Sequence, residues 1–142
     1  MSISKNFDQF GYLSPFPLLE RAECRQLMRH IKSSHFRPPM DWYKGLAISD
    51  PIIRELALDE RICSVVRKCL GNSIDLWGAN LVTRKPGQSH PWHSDFESSS
   101  PKGGFASVWI GLQNVSSRTS FSLIAGSHLT GRTVQETRHA HD

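Results

Sequence analysis

The stretch LWGANLVTRKPGQSHPWHSDFE, residues 76–97, is where the texture of the chain changes. Upstream, apolar residues recur at intervals of three and four, the period of a helix with one buried face. From Leu76 onward, β-branched and aromatic residues alternate with polar ones and are punctuated by glycine and proline, the pattern of short strands. The alternation predicts strands at Leu76–Thr83, Pro91–Phe96, Phe105–Leu112 and Ser120–Ala125, separated by KPGQ, SSSPKGG and NVSSR turns.

Working back toward the N-terminus, Leu19, Ala22, Leu27, Met28 and Ile31 fall on one face of a helix over Leu18–Ile31, with Glu20, Arg21, Arg25, Arg29 and Lys32 toward water. Asp50 before Pro51 reads as a cap followed by a first-turn proline, opening a short helix that runs to Leu58. Asp59 caps the next helix, whose buried stripe is Ile62, Val65, Val66, Cys69 and Leu70 and whose stop is Gly71. Helices followed by strands give an α+β expectation: a mainly helical portion at 1–71, a strand portion at 72–128 and a polar tail at 129–142, all in one domain.

The totals agree with a single globular unit. The chain has 142 residues, 38% apolar and 21% charged, enough for one core and too few for two. No apolar run reaches membrane-spanning length, and the N-terminus lacks the pattern of an export signal. Three cysteines, Cys24, Cys63 and Cys69, form no CxxC pair, which suits a reducing, cytoplasmic setting. The net charge of +4 is scattered, with no basic tract interleaved with aromatics, so neither nucleic acid nor membrane is an expected partner.

The chemistry concentrates in HPWHSDFE, residues 90–97. In a strand, residues two apart share a side, so His93 and Asp95 present an imidazole and a carboxylate together while Ser94 turns away. A histidine from elsewhere would complete the two-histidine, one-carboxylate facial triad of non-haem iron(II). His90, three residues before His93, falls on the opposite face of such a strand and is not taken as that histidine. The same split argues against a zinc hydrolase built from His90, His93 and Asp95. Trp92 and Phe96 also face away and read as core packing. The competing reading of the octet is a solvated polar loop.

Three stretches together resemble the phytanoyl-CoA dioxygenase family of iron(II)- and 2-oxoglutarate-dependent oxygenases. FDQFGYLSPFPLLERAECRQL resembles the family's opening, a Phe-x-x-x-Gly-Tyr strand leading into an amphipathic helix. NLVTRKPGQSHPWHSDFE resembles its Trp-His-x-Asp metal segment, and SVWIGLQNVSSRTSFSLIAGSH the strand pair ending in its Gly-Ser-His turn. The resemblance implies helices packed on a jelly-roll (double-stranded β-helix) core that hydroxylates a small organic substrate with iron(II) and 2-oxoglutarate. It places two iron ligands on His93 and Asp95 and the 2-oxoglutarate pocket on Lys44, Asn80 and Trp109. His128 corresponds to a structural turn histidine. An aspartate at 95, where halogenating relatives carry a small residue, favours hydroxylation. SSSPKGG, after the motif, is expected to act as a mobile lip over the metal.

The family's third ligand and its cosubstrate-binding arginine lie on a late strand beyond the Gly-Ser-His turn. Arg138, His139 and His141 follow that turn too closely and lack a strand pattern, so they are not assigned those roles. The barrel is therefore expected to be incomplete at its C-terminal side, in a fragment of a longer protein, in a chain completed by self-association through exposed sheet edges, or in a degenerate relative. The alternative function is a non-catalytic β-rich binding or interaction module.

Overall fold

The computed structural model describes residues 2–33, 42–95, 104–132 and 136. Its described elements are five α-helices, one two-stranded β ladder and a 3-10 turn: α1 (Ile3–Phe10), α2 (Arg21–Ser33), β1 (Trp42–Tyr43), α3 (Leu46–Ser49), α4 (Pro51–Ala57), α5 (Glu60–Leu70), β2 (Leu81–Val82) and the turn at Ser127–Thr130.

The helices begin and end where local chemistry dictates. Ser2 caps α1 by accepting from the Lys5 amide at 3.3 Å, and Gly11, at φ 77°, closes it by donating to the Phe7 carbonyl at 2.8 Å. This corrects the strand expected at Phe-x-x-x-Gly-Tyr. Phe7 and Phe10 belong to α1, and Ile3, Phe7 and Phe10 recur at helical spacing. Asp59 caps α5 through the Arg61 amide at 2.8 Å, and Gly71 terminates it. The Arg61 guanidinium also donates to the Leu18 carbonyl at 2.6 Å and pairs with Glu23 and Asp59, holding the start of α5 against the approach to α2. These groups are largely solvated, so they orient more than they stabilise.

The core gathers around α2, α3 and α4. Leu27 and Ile31 from α2, Leu46 from α3 and Ile53 from α4 are buried together, with Leu19, Met28, Tyr43, Leu56, Ala79, Leu81 and Leu112 packed around them. α3 lies against α4, and α1 packs separately on α5, where Ile62 is buried. The ladder is antiparallel, with Trp42 opposite Val82 and Tyr43 opposite Leu81.

Asp50 sits at the joint of α3 and α4 and is only 8% exposed. Its Oδ1 accepts from the Ile52 and Ile53 amides at 3.0 and 3.1 Å, and its Oδ2 lies 2.8 Å from Nε2 of His30 on α2. Burial opposes ionisation of this carboxyl, but the His30 hydrogen bond, the Ile53 and Ile52 amides and the charge of His30 together outweigh it and hold the pKa below its ordinary value. A carboxyl depressed in the folded state adds stability above its unfolded pKa, and that stability is lost as pH falls through the folded one. Asp50→Asn, which keeps an acceptor for the amides, is therefore expected to cost about 1–2 kcal/mol at pH 7. It should also flatten the loss of stability on acidification from pH 5 toward 2.5, read by urea denaturation at each pH. An unchanged acid slope would remove Asp50 from this role.

The second half departs from expectation. Of the four predicted strands, only Leu81–Val82 pairs in a ladder among the described residues. Phe105–Leu112 and Ser120–Ala125 carry no ladder, nor does 91–95, and Phe96 lies outside the described residues. The jelly-roll expectation is thereby overturned: the described structure is helix-dominated. Alternation marks a segment that suits a half-buried strand, but the backbone groups of a strand are satisfied only by a neighbour, and these segments have none. Large apolar side chains on them stand in solvent accordingly, with Trp109 52%, Phe121 56% and Ile124 60% exposed. Self-association through sheet edges falls with the sheet, because two-residue strands offer almost no edge to template pairing. The turns did form where their chemistry is local. Lys85 accepts from the Gln88 amide at 3.0 Å, and the Thr119 hydroxyl donates to the Asn114 carbonyl at 2.6 Å. Among the described residues no helix is long and apolar enough to cross a membrane.

Candidate functional site

His93 and Asp95 lie on the irregular segment that follows the Lys85–Gln88 turn. Pro91 offers its carbonyl 3.0 Å from Nδ1 of His93. A carbonyl oxygen can only accept, so this contact assigns the proton of a neutral ring to Nδ1 and leaves the Nε2 lone pair outward. That Nε2 is 3.2 Å from Oδ1 of Asp95, with the two side chains 39% and 38% exposed. Two acceptors at this distance repel unless a proton or a metal cation lies between them. Donors about 2.1 Å from one ion and at right angles around it stand about 3 Å apart, so the separation also suits adjacent ligands of one cation.

A second histidine joins the cluster. The His90 and His93 rings meet edge to face with centroids 4.5 Å apart, and the Arg84 guanidinium donates to Nδ1 of His90 at 3.2 Å. Burial first, then electrostatic interaction with the His93 ring and the Arg84 guanidinium, holds the His90 imidazole below its ordinary pKa, partly offset by Asp95. The opposite-face placement of His90 fails because 90–95 is not a strand, so period-two alternation does not govern it. Arg84 and the Pro91 carbonyl were missed as neighbours of this site. A proline two residues before a histidine is the available signal for the second, since Pro-x-His brings a carbonyl near the ring.

Lys44 is exposed between β1 and Gly45, and Asn80 is exposed just before β2. The ladder stops short of both, its last pair being Tyr43 opposite Leu81. Gly45 then takes φ 74°, and the Leu46 amide reaches the Ala79 carbonyl at 2.9 Å. Trp109 is 52% exposed, its ring 5.3 Å from that of Phe121. His128 donates from Nε2 to the Asp8 carbonyl at 3.0 Å, beside the end of α1. The SSSPKGG lip lies outside the described residues apart from Gly104, and so do Arg138, His139 and His141.

The oxygenase expectation does not survive this geometry. Among the described residues no group of three or more His, Cys, Asp or Glu side chains could hold a metal ion, whereas the facial triad needs three protein ligands. With no double-stranded β-helix among the described residues either, iron(II) and 2-oxoglutarate as cofactors, hydroxylation of a small-molecule substrate, and the enzyme assignment are all corrected. The β-rich binding module falls as well, since the described residues form only one two-stranded ladder of two residues per strand.

No curated protein and no solved structure matches the chain. The sequence profile of the family described as Phytanoyl-CoA dioxygenase (PhyH) does match, across residues 7–142. By that match, which spans nearly its whole length, the chain belongs to the phytanoyl-CoA dioxygenase family.

Proposed function

We propose that His93 and Asp95 form a two-donor clip for a divalent cation, and that weak cation binding is the function of this segment. The supporting observation is the 3.2 Å approach of Nε2 to Oδ1, with Nδ1 committed to the Pro91 carbonyl. A cation between the two lone pairs relieves their repulsion and keeps the ring in the tautomer that Pro91 favours. Two protein donors bind weakly, so a Kd on the order of 1 mM, about −4 kcal/mol, is expected. The reading includes a reducing, cytoplasmic setting, supported by three cysteines that are all free thiols.

The test is a titration with zinc(II), a diamagnetic probe, followed by the ring ¹⁵N resonances of His93. The expected result is a shift of Nε2 with Nδ1 remaining protonated, and at least a tenfold weaker response in Asp95→Ala. An equal response in that variant, or a shift at Nδ1 instead, would overturn the clip.

A further inference from the structure

We draw no further inference here: the strongest candidate, the exposed apolar surface patch carried by Trp77, Val108, Trp109, Phe121, Leu123 and Ile124 in the second half of the chain, carries nothing because nothing in the structure shows what covers it.

Discussion

Leu46→Ala is expected to lower the unfolding free energy by about 3 kcal/mol, or Tm by roughly 10 °C for a chain of this length. Leu46 is 4% exposed and is the first residue of α3, a helix of four residues. A helix that short has no stability of its own, so the burial of Leu46 against Leu27, Ile31 and Ile53 is what holds it in place. The same residue ties the helical layer to the segment before β2 through its amide and the Ala79 carbonyl. Truncation leaves a cavity where α2, α3 and α4 meet. Trp77→Ser is the control: at 82% exposure it should change stability by no more than about 0.5 kcal/mol. Urea denaturation of both variants checks the contrast, and equal effects would show that the core has been placed on the wrong residues.

Gly11→Ala is expected to cost about 2–4 kcal/mol, from two separable sources. At φ 77° any side chain is strained, by about 1–2 kcal/mol. In addition, a Cβ built on Gly11 would overlap the His128 ring. That ring cannot simply swing aside, because its Nε2 is bonded to the Asp8 carbonyl and the neighbouring Gly126 amide donates to the Phe10 carbonyl at 2.9 Å. A double-mutant cycle separates the terms. In a His128→Ala background the overlap is gone, and Gly11→Ala should cost only the backbone strain. If it costs the same in both backgrounds, the turn at 126–130 does not press on α1 as described.

How far the fold was legible depended on how local the deciding chemistry is. Asp50 with Pro51, and Asp59 with Gly71, announced α4 and α5 because a cap needs only amides two or three residues away. The turns at KPGQ and NVSSR were legible for the same reason. The helix at Ile3–Phe10 was legible in principle, from Ser2 and the spacing of Ile3, Phe7 and Phe10, but the resemblance of Phe-x-x-x-Gly-Tyr to a strand overrode that pattern. The strands after Gly71 were misread because alternation describes one segment while a ladder requires two, and the partner is not written in the segment itself. At the site, His93 and Asp95 approach by a route other than strand alternation, through a ring anchored on Pro91. The links of His30 to Asp50 and of His128 to Asp8 span 20 and 120 residues, which no local pattern encodes.

The docking of the 126–128 turn onto the end of α1 bears on the order in which the molecule folds. Bringing Asp8 and His128 together closes a loop of 120 residues, an entropic cost on the order of 4 kcal/mol, against about 2.7 kcal/mol for the 20-residue separation of His30 and Asp50 that joins α2 to α4. That junction should therefore zip up after the rate-limiting barrier. In stopped-flow chevrons His128→Ala is expected to accelerate unfolding while leaving refolding almost unchanged, with φ near zero, and a φ near one would place the junction in the nucleus instead.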